Sequence, residues 1–198
     1  ANQPVPEKVH RINEMIKDKY DLKTVQGLSK KQLAERYGLK LFNTLNDAFS
    51  DLFGYVPLND KQKEFYINQY FPFLDKRLIC LVVDKNDDVV AFGISMPSLS
   101  NALRKCKGRL FPFGWIHLLK ALKNFENIDL YLNGVKPEWQ NKGIHSIYYA
   151  EMNKQYIKLG SKMAIADPQL ETNQAANIWK KYDSRIAIRR RAYIKTIE

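Results

Sequence analysis

Between positions 128 and 147 the chain changes its hydrophobic period. Ile128, Leu130 and Leu132 alternate with Asp129, Tyr131 and Asn133, so a strand is predicted with the three aliphatic residues on one face. Pro137 cannot extend the pairing and closes it. From Ile144 onward the apolar positions Ile147, Tyr148, Met152, Tyr156 and Leu159 recur at helical spacing. A strand, a loop carrying Gly and Lys, then a helix leaves several backbone N–H groups unpaired around one mouth, an arrangement that attracts phosphate.

The same pattern reading orders the rest of the chain. Residues 2–6 read as a linker and a short helix follows over 7–20. A first strand is expected at 22–28. Leu33, Tyr37, Leu41, Leu45, Phe49 and Leu52 form the stripe of a helix of some five turns, which Gly38 weakens by ~1 kcal/mol relative to Ala. The stretch 54–57 breaks that helix, and Asn59 or Asp60 can cap a second one carrying Phe65, Tyr66 and Tyr70. The unbroken apolar run 78–83 suits a strand buried on both faces; 84–88 is turn material and 89–96 the returning strand. An extension over 98–127 holds a basic helix (101–107), the apolar run 110–113, and a helix with Trp115, Leu118, Leu119 and Leu122. Residues 162–166 make a fifth strand. Thr172 or Asn173 can cap a helix over 174–182, and 185–197 reads as a final strand pair or one long strand. Arg189, Arg190 and Arg191 put charge on both of its faces, a device that discourages edge aggregation.

Composition narrows the class. The chain has 198 residues, 45% of them hydrophobic and 12% aromatic, enough for a folded core. No apolar run approaches the ~20 residues of a bilayer span, and no signal peptide is visible. Cys80 and Cys106 belong to no CxxC pair, which points to a reducing compartment without disulfides or a zinc site. A cytoplasmic protein with no membrane partner and no metal is expected. Net charge is +11, from 32 basic and 21 acidic residues. Such a balance favours polyanions or simply maintains solubility.

Val135-x-Pro137-x-x-Gln140-x-x-Gly143 resembles the acyl-CoA motif of the GCN5-related N-acetyltransferases. The resemblance implies an α/β (α+β) fold: a mixed, mostly antiparallel sheet of six to seven strands, helices on both faces, and parallel fourth and fifth strands splayed apart. It implies acetyl-CoA or another acyl-CoA as co-substrate, held by Asn133, Gly134, Val135, Gln140, Asn141, Lys142, Gly143, Ile144 and His145. The sequence departs from the motif at His145, where the family has Gly or Ala; a side chain there either narrows the mouth or adds a donor. Asn173-x-x-Ala176 resembles the family's next motif, whose Asn reaches the pantetheine arm. The Tyr that protonates the departing thiolate corresponds best to Tyr182, although Trp179 stands nearer its usual place and the Gly-Phe ending this helix is replaced by Asp183-Ser184. Nearly end to end, the chain also resembles the C-terminal half of uncharacterised bacterial proteins with two acetyltransferase-like domains. A preceding domain of that kind is therefore a partner to expect. The organisation expected is a linker and leading helix over 1–20, then an acyltransferase domain over 21–198 with a helical insert at about 98–127.

Acyl transfer to an amine needs a base, oxyanion donors and an acid for the sulfur. Asp129, six residues before Val135, sits where some members carry a glutamate base; an ordinary surface or capping role also fits it. A backbone N–H near Gly134 or Val135 can polarise the thioester. His117 reads as a structural histidine beside the cleft, and His10 is remote from every motif. The insert is a lid or acceptor wall on one reading, and a core patch or homodimer contact on the other. Tryptophan and leucine at helical spacing favour the core. No GxSxG, HExxH, Walker or CxxC pattern competes. Three functions stand in order: an acyl-CoA-dependent N-acyltransferase acting on a small-molecule or peptide amine, a non-catalytic module on the same scaffold, and a transferase acting on an RNA-linked acceptor.

Overall fold

The computed structural model describes residues 3–171, 173, 183–191, 193 and 195. They fall into two compact units, Ala1–Asp167 and Pro168–Glu198. The first carries all the regular structure seen among the described residues: α1 (Glu7–Tyr20), β1 (Lys23–Thr24), α2 (Lys30–Phe49), α3 (Asp60–Tyr70), β2 (Ile79–Val83), β3 (Val89–Pro97), α4 (Ser100–Lys105), α5 (Gly114–Ala121), β4 (Asn127–Val135), α6 (His145–Lys158) and β5 (Met163–Ala166).

The five strands lie in the order β1-β2-β3-β4-β5, every neighbouring pair antiparallel except the parallel pair β4–β5. Six to seven strands were expected, and the described residues form five. The described residues 184–191 form no strand, and Ile186 and Ile188 are each 70% exposed. Three consecutive arginines give that segment no side that can turn inward, so alternation alone does not build a strand there. The first strand shrinks to two residues because Gly27 turns the chain at φ 78°.

Helices cover both faces. Leu33, Tyr37, Leu41 and Leu45 of α2 join Leu81, Phe92 and Ile94 in the principal core. Ser29 and Asn59 each form a reciprocal capping box, with Gln32 and Gln62, at the starts of α2 and α3. On the opposite face α6 buries Ile147, Tyr148, Met152 and Tyr156, and the Tyr156 hydroxyl lies 2.6 Å from that of Ser95 on β3. Gly93 lets α6 approach, since a methyl group there would lie 2.5 Å from the Met152 sulfur. Asp87, in the β2–β3 turn, is tied to α2: it accepts from the Tyr37 hydroxyl at 2.5 Å and pairs with Arg36 at 3.0 Å.

α1 packs beside α6. Asn13, buried, donates to the Ser146 carbonyl at 3.1 Å and accepts from the Ser146 hydroxyl. Lys17 reaches Glu14 at 2.9 Å and Glu151 at 4.0 Å.

Candidate active site

β4 carries a bulge. Ile94 faces Leu132 and Ser95 faces Leu130, which leaves Tyr131 without a partner across the ladder. The expected single face of Ile128, Leu130 and Leu132 is therefore broken. Leu132 packs into the core beneath α2, whereas Leu130 stands opposite Ser95 on the α6 side.

The pairing of β4 with β5 runs only from Asn127–Met163 to Leu130–Ala166. β4 continues five residues further, to Val135, while β5 has ended. Pairing between β4 and β5 thus ends where the bulge begins, and 131–135 of β4 have no described strand beside them on that side.

Beyond Val135 a single 3-10 turn (Pro137–Trp139) leads to Asn141 at φ 60° and Gly143 at φ 79°, and then to α6. The loop is fastened by the Lys136 amide on the Val90 carbonyl (2.9 Å) and by the Gln140 side-chain amide on the Val135 carbonyl (3.3 Å). The Ser146 amide and hydroxyl both close on the Gly143 carbonyl, at 3.0 and 2.7 Å. By contrast, the amides of Asn141, Lys142, Gly143 and Ile144 make no hydrogen bond to any described residue. They stand at the positive end of α6, a place suited to an anion. The Lys142 ammonium lies 4.6 Å from the Trp139 ring centroid and 5.5 Å from that of Tyr20. α1 covers one flank, for the Ile16 methyl lies 2.9 Å from where a Gly143 Cβ would stand.

Asp129 faces Met96 across the ladder and Ile165 on the other side. Burial raises its carboxyl above the ordinary carboxylate range, and a hydrogen bond from Ser98 opposes that shift. Asp167 follows β5 immediately, and burial together with the charge on Asp129 raises it as well. Parallel strands 36 residues apart in sequence bring these carboxyls to one end of the sheet.

Three comparisons bear on this geometry. No protein-family model matches the chain. The bacterial ceramide synthase of Caulobacter vibrioides is 29% identical over 102 residues, which cover 50% of this chain and 26% of that protein. The chain thus matches about a quarter of that relative's length. Among solved structures, the aminoglycoside antibiotic 6'-N-acetyltransferase from Acinetobacter baumannii superposes with a TM-score of 0.53 at 12% identity, covering 89% of this chain and 99% of the other. An aminoglycoside acetyltransferase from an uncultured soil metagenomic sample, in complex with trehalose, gives 0.52 at 12% identity over 92% and 99%. The chain has the fold of the GCN5-related N-acetyltransferases.

Within this acetyltransferase fold the residues expected at the site separate into groups. Asn141, Lys142, Gly143 and Ile144 come together as the amide-bearing turn, with His145 half-buried at the start of α6. Gln140 turns its side chain onto Val135 and braces the loop. Asn133 accepts from the Tyr148 hydroxyl at 3.4 Å. Gly134 has a packing reason to lack a side chain, since a methyl group there would meet Ala48 of α2 and the Phe92 ring, both at 3.0 Å. Asn173 lies in the second unit, where its amide reaches the Leu170 carbonyl at 2.9 Å. Tyr182 and Trp179 fall outside the described residues, as does the whole of the helix expected at 174–182.

The sequence reading missed Asp167 and the Tyr131 bulge, and of its readings for the insert the core patch does not hold. Trp115 and Leu119 were expected in a core, yet they are 47% and 50% exposed. His117 is exposed as well and lines a cavity of about 190 Å³ with Ser98, Asn101, Lys105, Lys120 and Glu126. Cys80 is inert: burial pushes its thiol up to about 12. No group of metal-ligating side chains occurs among the described residues, and none of the described helices is long and apolar enough to cross a membrane.

Proposed function

We propose that the chain is an acyl-CoA-dependent N-acyltransferase. The observation that carries this reading is the end of the β4–β5 ladder at Leu130–Ala166 on a strand that leads into a turn of four uncommitted amides. The fit of the co-substrate rests on those amides and on Lys142, which supply hydrogen bonds and charge to a pyrophosphate. Gly143, at φ 79°, holds the turn in the left-handed conformation that favours glycine. The outer edge of β4 beyond Leu130 offers backbone groups to the amide-bearing pantetheine arm.

Bound acyl-CoA supplies an activated thioester carbonyl. Asp129, its carboxyl raised by burial, takes the proton that the acceptor amine loses as nitrogen bonds to the carbonyl carbon. A backbone N–H of β4 near the Tyr131 bulge or Gly134 donates to the oxygen that gains charge. The carbon–sulfur bond breaks, and an acid returns a proton to sulfur; by resemblance that acid is Tyr182, and Asn173 steadies the arm. The likeness to a ceramide synthase supports an acceptor of the same chemistry, since a ceramide is the amide of a fatty acid and a long-chain amino alcohol.

Calorimetric titration with acetyl-CoA and palmitoyl-CoA tests the reading. Saturable one-to-one binding is expected, weakened about tenfold or more by Lys142→Glu. Silence with both ligands at millimolar concentration refutes it. A second reading, a scaffold without turnover, draws on Ile16 lying over Gly143. It predicts that Ile16→Ala binds acyl-CoA where the unaltered chain does not.

A further inference from the structure

The insert that leaves the sheet at Ser98 and returns at Asn127 is built outward. Its tip is held by its own backbone: Gly108 N–H to the Leu103 carbonyl at 3.1 Å, Arg109 to Cys106 at 2.9 Å, and Trp115 to Leu110 at 3.1 Å. The Trp115 indole donates to the Pro112 carbonyl at 3.0 Å. Gly114 is buried under this tip, where a methyl group would lie 1.9 Å from the Arg109 carbonyl oxygen. This ordered frame turns apolar side chains into solvent. Phe111 is 85% exposed, Phe113 69%, and Leu103, Leu110, Trp115 and Leu119 between 46% and 50%. An exposed apolar cluster held by a local frame marks an interaction site.

Charge identifies what the cluster meets. No acidic residue occurs between Asp88 and Glu126, while Arg104, Lys105, Lys107, Arg109, Lys120 and Lys123 fall in that interval. All six are exposed, and among the described residues none forms an ion pair. A second copy of the same surface would be repelled by a cationic patch with no acid to meet it. An RNA strand would use the cations and aromatic faces, but it leaves the three leucines without a partner. An anionic bilayer uses both sets: phosphates for the cations, and the acyl boundary for the aromatic and aliphatic groups.

We propose that the 98–125 insert docks the protein onto an anionic lipid bilayer. Leu110, Phe111, Phe113 and Trp115 enter the acyl boundary, and Arg104, Lys105, Lys107 and Arg109 meet headgroup phosphates. The expectation of no membrane partner rested on the lack of a spanning segment, which surface docking does not require. The Ser98 amide donates to the Asn127 carbonyl at 2.8 Å, so the root of the insert lies two residues along β4 from the carboxylate assigned above as base. The docking itself does not rest on the acyl-transfer reading.

Co-sedimentation of the full chain with vesicles decides the matter. Phosphatidylcholine vesicles carrying about 30 mol% phosphatidylglycerol are expected to bind the chain, and phosphatidylcholine alone to bind it far more weakly. Phe111→Ser with Phe113→Ser is expected to lower partitioning about tenfold or more, because two exposed aromatic groups are lost. Lys105→Gln with Lys107→Gln and Arg109→Gln lowers it as well, and added salt weakens the unaltered chain. The idea is overturned by no binding to anionic vesicles at low salt, or by equal binding of the serine variant. It is overturned too if single-stranded RNA displaces the vesicles, or if the serine substitutions dissolve a dimer while vesicles go unbound. Acyl-CoA calorimetry on the same samples keeps the two readings apart: vesicle binding without acyl-CoA binding removes the transferase assignment alone.

Discussion

Asp129 joins the chemistry of the site to its stability. Its folded-state pKa is raised by burial, so ionisation favours the unfolded chain. The stability it contributes is complete below the unfolded-state value and is lost as pH rises through the raised folded value. Asp129→Asn is therefore expected to lower acyl transfer about 100-fold or more, with acyl-CoA affinity retained. In urea melts the stability gap should widen in the variant's favour from acid to neutral pH; a variant less stable than its parent at neutral pH contradicts the assignment. The sequence singled out Asp129 by its offset to Val135, with an ordinary surface or capping role beside it. Asp167 was not legible there, because only the parallel register of β4 and β5 makes it a neighbour. Tyr131 was equally hidden: a bulge is a mismatch between two strands, and the alternation within one strand does not record it.

Among the elements, those with a strong apolar period were the ones the sequence located well. α2 takes in the expected stripe from Leu33 to Phe49, where Leu33, Tyr37, Leu41 and Leu45 repeat every four residues, and stops short of Leu52. The insert's helices were found, but their exposure was not. Periodicity says that Trp115 and Leu119 share a face, and it leaves open whether that face has anything to cover it. Ser29 and Asn59 each begin a helix with a reciprocal cap, and the Ser-x-x-Gln and Asn-x-x-Gln spacings were there to be read. Ser29→Ala and Asn59→Ala are each expected to cost about 1 kcal/mol in chemical denaturation. The double variant should lose about the sum, since the caps serve different helices.

At the scale of the whole molecule, the order of strands and the parallel β4–β5 pair followed from the motif and its resemblance, whereas the docking of α1 had no sequence signal. Asn13 grips both the backbone and the hydroxyl of Ser146, and Ile16 rests on Gly143. A ligand that stiffens the turn must then also make α1 harder to open. Saturating acyl-CoA is expected to slow hydrogen exchange in Glu7–Tyr20, and Asn13→Ala to abolish that slowing; unchanged exchange in the saturated chain rejects the coupling. The turn that would receive a diphosphate is thus propped by a strut whose gripping side chain lies 133 positions earlier in the sequence than Ser146. Trimming the chain back to Asp21 would spare every motif residue and still leave the receptor unbraced.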